Sequence, residues 1–193
     1  MASIRVPDPS LVVLVGAAGA GKSTFAARHF APGDVLSSDA FRAIVSGDEA
    51  DQRGTRTAFS ILHREVSRRL AAGRLVVVDA TNVERHARRA LLARAAFAEV
   101  PAVAIVFALP AAIVHARNAG RTGRVVESEI VAGHLERLAV AEAGREGSGG
   151  LFAGEGFEAV HVLRSVAEVE ATRITRVPGR RPRPSEASPH SPT

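Results

Sequence analysis

Residues 11 to 24 read L-V-V-L-V-G-A-A-G-A-G-K-S-T, an apolar run followed directly by a glycine-rich loop. The loop satisfies the pattern G-x-x-x-x-G-K-[ST], in which backbone N–H groups turn toward a polyphosphate and the next helix adds the positive end of its dipole. In this pattern Lys22 reaches the β- and γ-phosphates and the hydroxyl of Ser23 binds Mg²⁺. The residues predicted to bind the nucleotide here are Gly16, Ala17, Ala18, Gly19, Ala20, Gly21, Lys22, Ser23 and Thr24. The stretch therefore predicts a strand, a phosphate-binding loop and a helix that bind a nucleoside triphosphate.

The rest of the chain indicates the fold class. Apolar runs bounded by turn residues alternate with longer segments of helical period. Almost uninterrupted runs of Val, Ile, Leu and Ala are typical of parallel strands covered by helices on both faces. The predicted strands are Leu11–Val15, Val35–Ser38, Leu75–Asp79, Ala102–Leu109 and Ala159–Leu163. We therefore predict an α/β fold of three layers around a parallel sheet of about five strands.

Segments with helical spacing separate these strands. The predicted helices are Asp51–Ala72, Glu84–Phe97, Ala111–Asn118, Val125–Ala143 and a last one that follows a capping box at residues 165–168. Residues 144–156 are rich in glycine, but they precede a strand instead of following one. We interpret them as a flexible connector and not as a second phosphate-binding loop.

Composition restricts the classes of protein to which the chain can belong. Its 193 residues suffice for one domain, and it contains no cysteine for disulfides or for a cysteine zinc site. The start of the chain lacks the apolar region of a signal peptide, and no apolar run reaches the length of a membrane span. We therefore predict a cytoplasmic protein with one domain over residues 1–176.

The net charge of +5 is concentrated near the end of the sequence. After residue 172 a single acid, Glu186, accompanies the arginines Arg173, Arg176, Arg180, Arg181 and Arg183. Residues 177–193 are rich in proline, serine and arginine and have no apolar face, so we predict a disordered basic tail. We interpret this tail as a solvated terminus, and the alternative is a basic arm that binds nucleic acid.

A carboxylate and an arginine follow the second predicted strand, in the sequence S-S-D-A-F-R of residues 37–42. Because ligands of open parallel sheets bind outside the carboxyl ends of the strands, Asp39 is expected near the phosphate-binding loop. There it could accept the proton of an attacking hydroxyl, and Arg42, one helical turn later, could bind an anionic acceptor. The structural alternative is that Ser38 or Asp39 only caps a helix over residues 40–45 and that Arg42 is a surface charge.

The third predicted strand also ends in an aspartate, in the sequence V-V-V-D-A-T-N of residues 76–82. Asp79 is predicted to hold the Mg²⁺ water shell together with the hydroxyl of Ser23. Thr81 and Asn82 could reach a phosphate or the acceptor. Buried strands often end in an aspartate before a turn, so this pattern alone does not indicate a metal site. The phosphate-binding loop earlier in the chain is what favours that interpretation.

Residues 117–124 read R-N-A-G-R-T-G-R and combine glycines with arginines. Glycines allow a hinge, and arginines neutralise the charge of a transferred phosphoryl group. The segment is therefore predicted to be a small lid that closes over the triphosphate. The alternative is a solvated basic turn between two helices.

These motifs together resemble the 5′-hydroxyl kinase module of bacterial polynucleotide kinase-phosphatase and, more distantly, phage polynucleotide kinase. The similarity extends over about residues 10–172 and includes residues 45–52 and 78–83 beside the motifs. The resemblance implies a P-loop NTPase or kinase-like fold that uses ATP and Mg²⁺. It also implies that Asp39 is the general base on the 5′-hydroxyl and that Arg42 contacts the 3′-phosphate of the acceptor. Arg117 and Arg121 match arginines of the family's lid that act on the donor phosphates, and Arg124 matches by position.

The activity implied by the resemblance is transfer of the γ-phosphate of ATP to 5′-hydroxyl ends of DNA or RNA in nucleic-acid end repair. Members of the family continue into phosphatase and ligase-like domains, so separate phosphatase or ligase proteins are candidate partners. One alternative is a P-loop kinase of a small-molecule hydroxyl, such as a sugar, a nucleoside or an antibiotic. A second is a non-catalytic module that closes on ATP as a switch. A GTPase is disfavoured because the sequence has no N-K-x-D motif.

Overall fold

The computed structural model describes residues 3–46, 55–122, 125–143 and 151–179. Strands are numbered along the chain as β1 (Ser3–Asp8), β2 (Leu11–Val15), β3 (Val35–Ser37), β4 (Val76–Asp79), β5 (Ala102–Phe107), β6 (Ala159–Leu163) and β7 (Arg173–Pro178). Five of them form a parallel sheet in the order β3-β4-β2-β5-β6. The predicted α/β fold and its five strands are confirmed. The strand before the phosphate-binding loop lies at the centre of the sheet.

Helices connect the strands and cover the sheet. They are α1 (Lys22–His29), α2 (Ser38–Ser46), α3 (Thr55–Ala71), α4 (Arg85–Phe97), α5 (Ala111–Ala119), α6 (Ser128–Ala143) and α7 (Val166–Ala171), with a 3₁₀ turn at Pro32–Asp34. The predicted helices are confirmed with small shifts at their ends. The start predicted at Asp51 lies outside the described residues, and the helix predicted from Val125 begins at Ser128.

The apolar core lies on both faces of the sheet, because successive residues of a strand point to opposite faces. In β2, Leu11, Val13 and Val15 belong to one buried cluster, whereas Val12 and Leu14 belong to another. Helices α3 and α4 contribute to the first cluster, and α1 and α5 contribute to the second. This arrangement confirms the three predicted layers.

A second, two-stranded parallel sheet joins β1 to β7 and was not predicted. Ile4 and Val6 of β1 are buried in the core cluster that contains α1. Arg176 of β7 binds Asp8 at 3.3 Å and Asp34 at 2.7 Å through its two terminal nitrogens. The prediction that the disordered tail begins at residue 177 is wrong for residues 177 and 178, which lie in β7. Gly179 is also tied to β1, because its N–H donates to the carbonyl of Asp8 at 3.0 Å, and residues 180–193 lie outside the described part of the chain.

The capping box before α7 is confirmed in a slightly shifted form. The backbone N–H of Glu168 donates to the hydroxyl of Ser165 at 3.1 Å. The carboxylate of Glu168 accepts from the N–H of Arg164 at 2.7 Å, one residue earlier than in the standard motif. These bonds fix the start of α7 at the end of β6.

The glycine-rich stretch before β6 is ordered where the structure describes it. Residues 151–156 form a series of turns, with positive φ at Phe152, Gly154 and Gly156. Leu151 and Phe152 are buried in the core. The prediction of a flexible connector is therefore wrong for residues 151–156, and residues 144–150 are not described.

No helix in the described part of the chain has the length and apolarity needed to cross a membrane.

Candidate active site

A cavity of about 660 Å³ opens at the carboxyl ends of the central strands. Most of the residues predicted for the site line it, namely Ala18, Gly19, Gly21, Lys22, Ser23, Thr24, Asp39, Arg42, Asp79, Thr81, Arg117 and Arg121. Side chains that lie far apart in the sequence meet here because the parallel strands all end at this edge of the sheet. The predicted crevice is therefore present, with its phosphate-binding loop in the middle.

The phosphate-binding loop adopts a conformation that only glycine accommodates easily. Gly19 and Gly21 have φ values of +87° and +91°, in the left-handed region. The N–H of Gly16 donates to the carbonyl of Thr81 at 2.9 Å, which ties the loop to the end of β4. The side chains of Ala17 and Ala20 are buried, so these two residues contribute only backbone to the loop.

Gly19→Ala should distort the loop and weaken nucleotide binding. A Cβ atom at this position would lie 2.5 Å from the carbonyl oxygen of Val114 and 3.0 Å from atoms of Asn118, both in α5. The left-handed φ adds strain of about 1–3 kcal/mol for a side chain. We expect lower thermal stability and a lower affinity for ATP, measured by calorimetry.

Gly33→Ala is the matched control for this substitution. The nearest atom to a Cβ there is Nη2 of Arg74 at 3.7 Å, an ordinary contact. Equal effects of the two variants on ATP affinity would contradict the packing argument for Gly19.

Lys22 lies inside the loop and is only 7% exposed. Its ammonium donates to the carbonyls of Gly16 and Ala17, each at 2.9 Å. Burial lowers its pKa to about 8, although the nearby carboxylates of Asp79 and Asp39 oppose this shift. An ammonium group has three donors, so one remains for an anion beside the loop. The group is thus held where a polyphosphate would favour its charged form.

Asp79 and Ser23 provide the oxygen atoms predicted to hold Mg²⁺. Asp79 is buried at the end of β4, Ser23 is exposed at the start of α1, and both line the cavity. Carboxylate and hydroxyl oxygens fit a metal ion that keeps several waters and shares phosphate ligands with a nucleotide. The described residues contain no group of three or more His, Cys, Asp or Glu side chains placed to hold a metal ion.

Asp39 and Arg42 form an ion pair at the β3 side of the cavity. Nη1 of Arg42 donates to Oδ1 of Asp39 at 2.8 Å, and Nη2 donates to the hydroxyl of Ser38 at 3.3 Å. The side chain of Asp39 is 35% exposed and that of Arg42 is 12% exposed. Both charges therefore lie at the surface of the cavity, one helical turn apart as predicted.

The capping role considered for Ser38 or Asp39 belongs instead to Ser37. Helix α2 begins at Ser38, two residues earlier than expected. The hydroxyl of Ser37 accepts from the N–H of Ala40 at 3.4 Å. Asp39 therefore lies within the first turn, where its carboxylate binds Arg42 and faces the cavity.

The arginines of the predicted lid come from the end of α5 and the residues after it. Arg117 lies close to the phosphate-binding loop, because its Nη1 is 3.3 Å from where a Cβ on Gly21 would stand. Arg121 lines the same cavity. Arg124, also predicted to contact the nucleotide, lies outside the described residues. The structure thus places two positive charges beside the loop.

Asn118, which the sequence analysis did not single out, fixes the base of this segment. Its buried amide donates to the carbonyl of Val126 at 2.7 Å and accepts from the N–H of Val126 at 3.2 Å. The two ends of the predicted lid are therefore held together.

Asn82 does not take part in the cavity as predicted. Its side chain is buried, and Nδ2 donates to the carbonyl of Leu14 at 2.8 Å. Its φ of +49° also bends the chain after β4. We correct the prediction of a substrate contact and assign Asn82 a structural role. Its neighbour Thr81 does line the cavity.

Several other side chains of the cavity were missed because they belong to no motif. They are Phe25, Arg28, Phe59, Val126, Ile130, His134, Val166, Val169 and Glu170. His134 of α6 lies near Lys22. Its pKa is lowered mainly by burial, and the positive charges of Lys22 and Arg137 lower it further. A helical spacing of apolar residues identifies α6 but does not show which of its residues face a ligand.

Known structures share this fold at low sequence identity. A chain of the Pnkp1/Rnl/Hen1 RNA repair complex is 22% identical, with a TM-score of 0.60, over 72% of this chain and 47% of that one. Kti12 of Chaetomium thermophilum, solved with ADP-AlF3, is 16% identical, with a TM-score of 0.56, over 83% of this chain and 93% of that one. A gluconokinase from Sinorhizobium meliloti 1021 is 19% identical, with a TM-score of 0.50, over 85% and 89%. The present chain thus spans about half the length of the RNA repair protein.

Sequence comparison defines the family more directly. No curated protein matches the chain significantly. The AAA domain family matches residues 11–141, which include the phosphate-binding loop, Asp39, Asp79 and the lid arginines. This match covers more than half of the chain, and the similar structures include kinases of the same fold. The chain belongs to the AAA domain family and has a P-loop kinase-like fold.

Proposed function

We propose that the chain is a polynucleotide 5′-hydroxyl kinase, which transfers the γ-phosphate of ATP to 5′-hydroxyl ends of DNA or RNA in end repair. The observation that carries this proposal is the Asp39–Arg42 pair in the same cavity as Lys22. Phosphoryl transfer requires a base for the acceptor hydroxyl and cations around the donor phosphates. The lining of the cavity includes both.

Each side chain has a defined task in this reaction. Asp39 receives the proton of the 5′-hydroxyl while the hydroxyl oxygen bonds to the γ-phosphorus and the bond to the β–γ bridging oxygen breaks. Because Arg42 binds Oδ1, we assign Oδ2 to the hydroxyl. Lys22, Arg117 and Arg121 stabilise the charge on the phosphates. Asp79 and Ser23 would hold Mg²⁺, which neutralises charge on the triphosphate when bound.

A polymeric acceptor is supported by the shape of the site. A more open groove of about 390 Å³ shares Thr81, Ile130 and His134 with the main cavity. A terminal nucleotide could therefore enter while the rest of the strand leaves along the surface. The chain has eight Phe but no Trp or Tyr, so we do not expect extended base stacking. Because the rest of the strand would leave without contacts to base edges, we expect little dependence on base sequence.

The structural likeness to a chain of an RNA repair complex agrees with this proposal but, at this identity, shows the fold alone. We extend to the present chain only the expectation that separate phosphatase or ligase proteins act with it.

Transfer of labelled γ-phosphate to a 5′-hydroxyl oligonucleotide tests the proposed function. A 5′-phosphorylated oligonucleotide of the same sequence serves as the control acceptor. Label on the 5′-hydroxyl strand alone would support a polynucleotide kinase. ATP binding without transfer to the oligonucleotide, followed by transfer to a sugar, nucleoside or antibiotic in a panel, would contradict it.

Arg42→Ala should raise the acceptor KM more for oligonucleotides with a phosphate on the 3′ side of the terminal nucleoside than for bare nucleosides. In the free protein Arg42 binds Asp39 and Ser38 and lines the cavity, where the phosphate of an acceptor could reach its guanidinium. One lost charged hydrogen bond corresponds to about 1.5–3 kcal/mol, or roughly a 10- to 150-fold change. KM values for the two acceptor types measure the effect.

Arg28→Ala provides the control for this prediction. Arg28 is exposed and also lines the cavity, but it lies on α1 and not beside Asp39 on α2. Its loss should leave the ratio of the two KM values unchanged. An equal rise for both acceptors in Arg42→Ala would show that Arg42 does not contact the phosphate.

A further inference from the structure

Arg88 of α4 is a buried cation whose side chain does not line the main cavity. It is 3% exposed. Nε and Nη2 donate to the two carboxylate oxygens of Glu155 at 2.8 and 2.7 Å, and Nη1 donates to the carbonyls of Asn82 and Val83 at 3.1 and 2.7 Å. Each nitrogen of the guanidinium is therefore engaged. A buried charge with this many partners is held in one geometry.

One side of this arrangement is the turn segment of residues 151–156. Its residue Glu155 is 7% exposed in the side chain and forms the two-point pair with Arg88. The ring of Phe152 lies 3.7 Å from Cζ of Arg88, which is within the range of a cation–π contact. The positive φ values of Phe152, Gly154 and Gly156 give the segment its shape. This part of the glycine-rich stretch thus forms a binding site for a guanidinium group.

The other side is the loop of residues 79–83, which belongs to the nucleotide site. Asp79 and Thr81 of this loop line the main cavity. Arg88 holds the loop's last two carbonyls, while Asn82 binds the end of β2 through Leu14. The carbonyl of Thr81 accepts from the N–H of Gly16 in the phosphate-binding loop. Glu155 is therefore connected to the phosphate-binding loop through Arg88, the backbone of residues 81–83 and the bond from Gly16 to Thr81.

We propose that Arg88, held by Glu155, is a positioning residue that sets the loop of residues 79–83 for Mg²⁺–ATP. Its guanidinium fixes the carbonyls of Asn82 and Val83, and this places Asp79 and Thr81 in the cavity. The inference rests on the proposed function only in requiring that the site bind ATP with Mg²⁺. It does not depend on the identity of the acceptor.

Arg94 provides a matched control on the same helix. It is half-buried and donates to two backbone carbonyls, those of His63 and Ala90. Neither of these carbonyls belongs to the nucleotide site. Arg88→Met and Arg94→Met thus each remove an arginine that binds backbone carbonyls from α4, but only the first releases the loop of residues 79–83. Glu155→Gln is a milder third variant, since it keeps the shape of the side chain and removes its charge.

The test measures the affinity of each variant for a fluorescent ATP analogue with Mg²⁺ and with EDTA. Loss of a group that orients metal ligands commonly lowers metal affinity by about 10- to 100-fold. We expect Arg88→Met and Glu155→Gln to reduce the Mg²⁺-dependent gain in affinity by about tenfold or more, and Arg94→Met to leave it unchanged. Hydrogen exchange of peptides covering residues 79–84 should be faster in Arg88→Met and Glu155→Gln but not in Arg94→Met.

The opposite result would overturn the inference. If Arg88→Met and Arg94→Met lose thermal stability while the Mg²⁺-dependent gain stays at the wild-type value, Arg88 is only structural. If Arg88→Met fails to fold, Glu155→Gln decides by the same measurement. Because no acceptor is present, this test can fail while oligonucleotides are phosphorylated, and it can succeed while they are not.

Discussion

Lys22→Ala should abolish phosphoryl transfer, with kcat lower by at least about 10²–10³-fold. The ammonium of Lys22 lies within the loop, held by the carbonyls of Gly16 and Ala17. Its removal leaves the developing charge on the transferred phosphoryl group without this partner. Steady-state transfer from labelled ATP to a 5′-hydroxyl oligonucleotide measures the loss.

Lys22→Arg is the appropriate comparison, because it keeps the charge but replaces a compact ammonium by a larger planar group. Lys22 is buried and bound by two carbonyls, so a larger group does not fit its place easily and we expect this variant to remain strongly impaired. Lys22 is also the only lysine in the chain, so an amine-reactive ATP analogue should label one side chain and the starting amino group at most.

A rate near the wild-type value for Lys22→Ala would rule out the proposed role of the loop.

Asp39→Ala should eliminate transfer while ATP affinity remains close to the wild-type value. General base catalysis contributes about 10²–10⁴-fold to a rate, and Asp39, which lines the cavity, is the carboxylate that we propose as the base. It lies on α2 and outside the phosphate-binding loop, so nucleotide binding has no direct need of it. Parallel measurements of kcat and of ATP binding separate the two effects.

Asp34→Asn controls for the loss of a carboxylate from the same region. Asp34 is bound to Arg176 and lies in the 3₁₀ turn just before β3, outside the cavity. Its substitution should leave kcat unchanged. If Asp39→Ala unfolds the protein or loses ATP binding together with transfer, Asp39 is structural and the catalytic assignment is wrong.

The parts of the site that could be predicted from the sequence follow from local or topological rules. The phosphate-binding loop depends on glycines at fixed spacing, because Gly19 and Gly21 must adopt left-handed backbone. Asp39 and Asp79 could be placed beside it because they follow parallel strands, which end at a common edge. Their roles in transfer remain predictions that the variants above test.

The remaining features depend on contacts between residues that are distant in the chain. Arg88 and Glu155 are separated by 67 positions, and neither belongs to a motif that indicates the other. Asn82 follows the strand-end aspartate in the same motif, yet its amide binds Leu14 and not a ligand. Strands β1 and β7 each contain one proline, at least one arginine and only two residues of Ile or Val, so their pairing could not be recognised from either segment alone.

The pairing of β1 with β7 also determines how the molecule resists mechanical force. The strands run in the same direction, with Ser3 opposite Arg173 and Asp8 opposite Pro178, over about 20 Å. A load between residues 3 and 179 therefore pulls the strands past each other along their length, so all of their hydrogen bonds share it at once. The ion pairs of Arg176 with Asp8 and Asp34 add to this clamp. A motor that pulls the chain from beyond residue 179 must shear this pair before the force reaches the nucleotide site.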